Sequence, residues 1–302
     1  MHPAVSVIFF TVMSGAGFGL MTMLGLGLPL SDEPVFAFMI CAIAAGLAVA
    51  GLISSTFHLG HPERAWRAFS QWRSSWLSRE GVLSVVTLLV FALYGANWVF
   101  NGERHLVLGL VLAALALLTI FATAMIYAQL KTVPSWNTWL TPLCYVAFGL
   151  ASGLLLATAF TTGDQETFAL ISAGLVILAW CAKFMWWKRA DNVGFSDTNS
   201  NAGTATGLGA IGSVKLLERP HTGENYLTKE MVHQIGRKHA LKLRMIAKVL
   251  GGLIPAIIAG LIWITGAPSI LLVLAFLSMV AGLFAERWLF FAEAKHAVSL
   301  YY

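Results

Sequence analysis

Two residues beside apolar segments, His58 and Glu80, have side chains suited to proton exchange. His58 ends one long apolar stretch and Glu80 precedes the next, so both are predicted at the boundary of a bilayer. A neutral imidazole can hydrogen-bond a carbonyl oxygen and then supply or accept a proton. A carboxyl group in partly apolar surroundings can exchange protons with the aqueous phase. The pair therefore suits quinone chemistry, in which two electrons and two protons move together.

The segment between these residues, Ser54–Gly81, is rich in tryptophan and arginine. An apolar stripe recurs there at steps of three and four residues, which predicts an interfacial helix over 62–79 whose aromatic rings would wall a quinone slot. The stripe consists of Ala65, Phe69, Trp72 and Trp76. The candidate pocket residues are Arg64, Trp72, Arg73 and Trp76. The alternative is a simple anchoring helix whose arginines bind lipid phosphates, with His58 and Glu80 as ordinary helix-end residues.

The composition of the chain is that of an integral membrane protein. Of 302 residues, 58% are hydrophobic and 11% are charged, against about 25% charged residues in a soluble protein. Eight apolar blocks can cross a bilayer about 30 Å thick. They are Val5–Leu28, Val35–Phe57, Gly81–Val99, Leu106–Ala128, Leu140–Phe160, Thr167–Trp187, Ile246–Thr265 and Ser269–Phe290. We predict one all-α integral membrane domain over 1–302, a bundle of eight transmembrane helices with an interfacial helix in the second–third loop and a long irregular sixth–seventh loop.

The basic residues are distributed unevenly between the two sides of this predicted bundle. Eighteen of the 19 fall on the side that carries both termini, and Arg104 alone falls on the other side. Cytoplasmic loops carry the excess of lysine and arginine in membrane proteins. Both termini and both large loops are therefore predicted to face the cytoplasm.

The placement of cysteine and histidine argues against a cofactor held by this chain. Cys41, Cys144 and Cys181 are scattered over separate spans and cannot supply the clustered thiolates of an iron–sulfur site. None of the eight histidines falls in the middle of a span, where paired haem ligands would be needed. The spans are also nearly charge-free except at their cytoplasmic ends, which disfavours a pump. We expect no haem, no metal and no nucleic-acid partner.

The sixth–seventh loop, 188–243, is predicted to be a partner-docking surface on the cytoplasmic side. Asn192–Ser213 is rich in Gly, Ser, Thr and Asn, and Val214–Leu243 is basic. A loop of this length is more often functional than idle, although a solvated loop without a partner is the alternative. The candidate docking residues are Arg219, His221, Tyr226, Arg237 and Lys238.

Charged residues also gather near the end of the eighth span. Glu286 and Glu293 are seven residues apart and share a helix face, with Arg287 beside them. Lys183 can pair with one of these acids or extend its ammonium group outward to the aqueous side, and Glu293 can pair with His296. We expect ion pairing here rather than a proton relay.

Four stretches of the sequence resemble the membrane anchor subunit of the DMSO reductase family. They are HPAVSVIFFTVMSGAGFGL, STFHLGHPERAWRAFSQWRSSWLSREG, GENYLTKEMVHQIGRKHALKLR and ERWLFFAEAKH. The likeness covers nearly the whole chain, and within the family it resembles the membrane subunits of cytoplasmic, quinone-linked sulfite dehydrogenases. The functional histidine of the family lies in the HLG at the end of the second span and matches His58. The functional acid at the start of the third span matches Glu80 in SREG.

The resemblance implies a role in a three-subunit complex of the bacterial inner membrane. Members of this family carry no cofactor of their own, anchor a molybdopterin catalytic subunit through a ferredoxin-like Fe–S subunit, and exchange electrons with ubiquinone or menaquinone. We therefore expect a quinone-binding membrane anchor that serves sulfite oxidation with quinone reduction. One alternative is the anchor of a DMSO or other S- or N-oxide reductase that oxidises menaquinol. A secondary transporter and a purely structural anchor are alternatives of another class.

Overall fold

The computed structural model describes residues 4–29, 33–57, 61–195, 197, 201–215, 217–218, 223 and 239–300, and these contain helices but no β-strand. Eight helices are long and apolar enough to cross a membrane. They are α1 (Val5–Gly25), α2 (Pro34–Thr56), α3 (Trp76–Asn101), α4 (Leu106–Ala128), α5 (Leu140–Ala159), α6 (Gln165–Asn192), α8 (Ala240–Thr265) and α9 (Leu272–Ala292). The predicted all-α class with eight spans is confirmed.

The shorter elements lie in the connections. A 3₁₀ helix, Pro62–Phe69, follows α2, and a five-residue helix α7, Ala202–Thr206, lies in the sixth–seventh connection. Asn201 caps α7, because its side-chain oxygen accepts a hydrogen bond from the Thr204 main-chain N–H at 2.9 Å.

Several helix bounds differ from the prediction. α3 begins at Trp76 rather than Gly81, because the Ser75 hydroxyl caps its first turn by accepting a hydrogen bond from the Ser78 main-chain N–H. The predicted interfacial helix over 62–79 is correspondingly shorter, since its helical part ends at Phe69 and Trp76 belongs to α3. The sixth–seventh connection is also shorter, because α6 continues to Asn192 and α8 begins at Ala240.

α1 is the central helix of the bundle. It packs against α2, α4 and α5, and α1 and α5 are the most buried of the eight spans. Gly19 of α1 lies so close to Gly149 and Gly153 of α5 that a Cβ on Gly19 or Gly153 would overlap the main chain of the other helix. Small residues at such contacts allow close approach in lipid, where helices associate through packing rather than through exclusion of water.

Both ends of the chain's described part lie at the same end of the bundle. The Ser54 hydroxyl near the end of α2 donates to the Ser6 carbonyl at the start of α1 (3.0 Å). The Ala297 N–H beyond α9 donates to the Thr132 carbonyl in the α4–α5 loop (2.9 Å). We call this the basic end, since α2, α4 and α6 end here, and many of the lysines and arginines in the sequence belong to the connections that follow these helices.

The opposite end holds Arg104, the basic residue that stood alone in the charge distribution. Its guanidinium donates to the carbonyls of Gly27 (2.8 Å) and Pro29 (2.7 Å) in the α1–α2 connection. The same group lies 3.8 Å from the centre of the Trp98 ring. Arg104 therefore fastens two loops together, which gives a structural reason for a basic residue on this side.

We predict that Gly153→Ala destabilises the bundle by about 1–3 kcal/mol, the usual cost of overpacking. The added methyl group would push α1 away from α5 at their closest approach. Unfolding of the purified protein in detergent is the measurement. Gly174→Ala in α6 is the matched control, because a Cβ there meets no heavy atom within 4 Å. Equal stability of the two variants would contradict this account of the α1–α5 contact.

Candidate functional site

Glu80 lies in the second turn of α3 and its side chain is buried, with 6% of its surface exposed. It faces α4, where the Thr123 hydroxyl is 3.5 Å from the Glu80 carboxylate oxygen Oε1. Buried carboxyl groups need partners or a proton, because burial without either carries a large penalty. Glu80 thus lies one turn inside the basic end of the bundle, with hydroxyl-bearing side chains as its neighbours: Thr123 on α4 and Ser84 on α3.

The residues that precede Glu80 hold the interfacial segment against α3. The Ser78 hydroxyl donates to the Ala68 carbonyl in the 3₁₀ helix and accepts a hydrogen bond from the Gln71 main-chain N–H at 3.2 Å. The Phe69 ring packs against Gly81, where an added Cβ would lie 3.3 Å from the ring. These contacts fix the path of the chain from residue 68 into the turn that carries Glu80.

Arg79 makes a second set of contacts with the same segment. Its guanidinium donates to the main-chain carbonyls of Trp72 (3.0 Å) and Arg73 (2.6 Å). It also lies 4.4 Å from the centre of the Trp76 ring. The Arg79 side chain is therefore directed back along the segment, away from the buried face on which Glu80 lies.

The structure separates the four candidate pocket residues into two groups. Trp76 packs edge-on against Phe121 of α4, with ring centroids 5.9 Å apart, and lies one turn before Glu80. Arg64, Trp72 and Arg73 lie on the exposed side of the segment, where the Arg73 guanidinium is 5.6 Å from the centre of the Trp72 ring. Trp76 is thus the one of the four that the described structure brings close to the helix face of Glu80.

His58 and the five candidate docking residues fall outside the described residues. His58 directly follows Phe57, the residue that ends α2. The docking residues are Arg219, His221, Tyr226, Arg237 and Lys238.

The two helices that flank the candidate site, α2 and α3, make little contact with each other. α2 packs mainly against α1, and α3 packs mainly against α4. A close approach of α2 to α3 joins Cys41 and Gly95, at the end far from Glu80. Near the basic end, apolar side chains on both helices are exposed, with Phe57 79% and Leu77 50% exposed. Exposed apolar side chains of both helices therefore lie at the end of the bundle that carries Glu80.

A second group of charges is buried nearby, where charged residues were expected to gather at the end of the eighth span. Lys183 of α6 and Glu286 and Arg287 of α9 are 1%, 0% and 3% exposed. Of the alternatives open for Lys183, the structure shows an ion pair with Glu286, and Arg287 donates to the other oxygen of Glu286 at 2.9 Å. The cost of burying these charges is offset by pairing and by aromatic rings, since the Arg287 guanidinium lies 3.7 Å from the centre of the Tyr145 ring.

The expected pairing of Glu293 with His296 is wrong. Glu293 instead bonds to Arg244, the nearest atoms being 3.0 Å apart. Arg244 also binds Asp191 at 2.7 Å and so joins the end of α6, the start of α8 and the end of α9. The planar guanidinium group of an arginine can bind two carboxylates at once. Local spacing could not predict this pair, because Arg244 and Glu293 are 49 residues apart in the sequence.

Two side chains near Glu80 and Arg287 were absent from the predicted site: Thr123 and Tyr145. Both lie within apolar spans as isolated polar residues. A charged residue inside a predicted span, such as Arg287, is a signal for polar partners on neighbouring helices. The signal does not say which helix supplies them.

The described residues contain no group of three or more His, Cys, Asp or Glu side chains placed to hold a metal ion. Cys41 and Cys144 are buried and Cys181 is exposed, and no two of them are joined in a disulfide. The buried environment of Cys41 and Cys144 is that of small apolar residues at helix contacts.

Comparison with known proteins defines the class to which this protein belongs. The family model described as DMSO reductase anchor subunit (DmsC) matches residues 1–292. The chain belongs to this family, as the resemblance predicted. It is accordingly the membrane anchor subunit of a molybdopterin oxidoreductase complex, whose catalytic and iron–sulfur groups belong to partner subunits.

Individual relatives differ in how much of the chain they match. The C subunit of sulfite dehydrogenase from Allochromatium vinosum is 37% identical, over 100% of this chain and 99% of its own length. The YnfH chain of an anaerobic dimethyl sulfoxide reductase from Escherichia coli is 31% identical over 42% of this chain and 50% of its own. The C chain of the anaerobic dimethyl sulfoxide reductase from Haemophilus influenzae is 25% identical over 53% of this chain and 59% of its own. No solved structure matches the protein.

We predict that Glu286→Gln destabilises the protein by about 3–5 kcal/mol, because it leaves the charges of Lys183 and Arg287 buried without their acid. The loss caused by Lys183→Met together with Glu286→Gln should be smaller than the sum of the two single losses, since the two residues are coupled. Unfolding in detergent measures each variant. Removal of the exposed Glu63–Arg64 pair, 3.8 Å apart, is the control and should have little effect. Additive losses for Lys183 and Glu286 would contradict direct pairing.

Proposed function

We propose that this protein is the quinone-binding membrane anchor of a molybdopterin and iron–sulfur oxidoreductase, and that it passes electrons between the Fe–S clusters of a ferredoxin-like partner and the quinone pool. The observation that carries the proposal is the buried carboxyl group of Glu80, one turn inside the basic end, where apolar side chains of α2 and α3 are exposed. A quinone ring dissolved in lipid can reach such a position from the side of the bundle.

In this proposal His58 and Glu80 serve the two proton transfers that accompany the two-electron step. The His58 imidazole hydrogen-bonds one quinone carbonyl oxygen and supplies its proton as electrons arrive from the partner. The Glu80 carboxyl group supplies or relays the second proton, and each group regains its proton from the aqueous side. The Trp76 ring, fixed by Phe121 and Arg79, forms an apolar wall beside them. Arg64, Trp72 and Arg73 complete the entrance on the segment's exposed side.

Sulfite oxidation with quinone reduction is the reaction that we assign to the whole complex. It is supported by the similarity to the sulfite dehydrogenase relative, which extends over the full length of both proteins. The two dimethyl sulfoxide reductase relatives match only about half of this protein. Ubiquinone and menaquinone both fit the proposed chemistry of His58 and Glu80.

The basic end is proposed to face the cytoplasm of a bacterium, with the catalytic and Fe–S partners bound to it. Eighteen of the 19 basic residues support this orientation. The long connection that follows α6 supplies the docking residues Arg219, His221, Tyr226, Arg237 and Lys238. Arg244, which joins α6, α8 and α9, would hold both ends of that connection in place.

We predict that Glu80→Gln and His58→Ala each abolish quinone-linked turnover of the assembled complex, while turnover with an artificial dye persists. The dye accepts electrons from the partner subunits and does not need proton exchange in the membrane. The two rates are measured on the same preparation of membranes.

Glu63→Gln is the matched control for these variants, because Glu63 is an exposed acid on the same segment. It should leave both rates unchanged. Full quinone-linked turnover in both site variants would refute the assignment of His58 and Glu80.

The orientation gives a separate prediction. A green fluorescent protein fused after Tyr302 should be fluorescent, and alkaline phosphatase at the same position should be inactive, because the basic end stays in the cytoplasm. Fusions in the α3–α4 connection, near Arg104, should give the reverse pair of results. Active phosphatase at the C-terminus would show that the orientation is wrong.

A further inference from the structure

A small internal cavity lies between α1, α4, α5 and α9, close to the depth of Glu80. The space open to the centre of a water molecule measures about 20 Å³, above the roughly 10–15 Å³ that one water needs. Its wall includes Thr123, which contacts Glu80, and Arg287, which belongs to the buried ion cluster. The cavity therefore lies between the candidate proton-exchanging acid and the buried positive charges.

Two side chains in the wall have hydrogen-bonding capacity that the described structure does not use. The hydroxyl of Tyr145 is buried and has no hydrogen-bond partner within the described part of the protein. Arg287 has five N–H donors, of which one is seen bonded to Glu286. Buried polar atoms are almost always bonded to protein or to water, so these donors point to a ligand in the cavity.

The serine hydroxyls in the wall complement these donors. Ser14 donates its proton to the Phe10 carbonyl at 2.6 Å, and Ser152 donates to the Phe148 carbonyl at 2.7 Å. A hydroxyl has one proton to give and two lone pairs to accept with. The oxygen atoms of Ser14 and Ser152 can therefore still accept hydrogen bonds. Together with the donors of Tyr145 and Arg287, they can give a water molecule in the cavity the two to four polar partners that a buried water requires.

The net charge of the buried ion cluster suggests what a water molecule in this cavity could do. With Lys183, Arg287 and Glu286 all ionised, the buried cluster carries one net positive charge. Such a charge is costly in an apolar bundle unless water or an anion lies near it. Glu80 contacts Thr123, which lines the same cavity as Arg287. The Glu80 carboxyl group becomes an anion each time it gives up its proton.

We propose that this cavity is an internal water site, and that its water together with the Arg287 charge solvates the Glu80 carboxylate at the stage of turnover when Glu80 has given up its proton. This rests on the proposed function of Glu80. Arg287 and Tyr145 are positioning residues here, because they act through the water and Thr123 and do not touch the quinone.

The test compares kcat and KM for quinone, and dye-linked turnover, in variants of the assembled complex. Arg287→Met should lower kcat roughly tenfold, the size expected when a unit charge beyond direct contact is lost from a protein interior. KM and dye-linked turnover should not change, and Arg287→Lys should restore most of kcat because it keeps the charge.

Two milder variants keep the test decisive if Arg287→Met fails to assemble. Tyr145→Phe removes the unpaired hydroxyl, and Gly15→Ala adds a methyl group to the cavity wall where a Cβ meets no heavy atom within 4 Å. Both should lower kcat several-fold. The matched controls are Tyr94→Phe, whose hydroxyl bonds the Leu24 carbonyl near the opposite end, and Gly46→Ala on the exposed face of α2. Both controls should keep kcat.

The outcomes separate the two proposals. If Glu80→Gln keeps full quinone-linked turnover, the quinone site itself is wrong. If Glu80→Gln stops turnover while Tyr145→Phe and Gly15→Ala both keep kcat, the water site is overturned and the quinone site stands. A density map of the complex that resolves other buried waters, but none beside the Tyr145 hydroxyl, would also overturn the water site.

Discussion

The ion cluster of Lys183, Glu286 and Arg287 is the interaction on which the packing of the basic end depends. These side chains are buried away from bulk water, and lipid offers no hydrogen bonds, so each charge must be satisfied inside the bundle. Glu286 bonds both cations, which ties α6 to α9. The Arg287 guanidinium against the Tyr145 ring adds α5 to the same contact. Three helices are thereby held in one register relative to each other.

An aromatic layer lies next to this cluster on the side of the basic end. Trp136 stacks on Phe290 with ring centroids 4.9 Å apart, and its indole N–H donates to the Phe290 carbonyl at 2.9 Å. Tyr127 packs against both rings and against Tyr145. The layer restricts access of water to the charges beneath it, which strengthens the ion pairs. Through Tyr127, the layer also includes α4. Tyr127 lies one turn from Thr123, whose hydroxyl contacts Glu80.

Much of this architecture could be predicted from the sequence, for a physical reason. A lipid-facing helix must be apolar over its whole length, so the eight spans are visible as apolar blocks, and the bounds of α4 agree with the prediction at both ends. The start of α3 differs from its predicted position by five residues, because Trp76–Glu80 has polar letters and its helix depends on a cap at Ser75. The position of Glu80 near the boundary was predictable. Its burial against Thr123 was not, because hydropathy does not say which face of a helix meets which neighbour.

The same limit explains why only some of the ion pairs could be predicted. Lys183 and Glu286 are charged residues in otherwise apolar spans, and such residues tend to pair, so an ion pair here could be expected although its acid could not be named. Glu293 had a nearby candidate in His296 and a distant one in Arg244, and local spacing favoured the wrong partner. Arg244 is the better ligand because its planar fork can bind Glu293 and Asp191 together, whereas a neutral imidazole offers one donor. Glu293 therefore pairs with Arg244 because of the guanidinium geometry and because α6, α8 and α9 pack together, and this packing cannot be predicted from local sequence spacing.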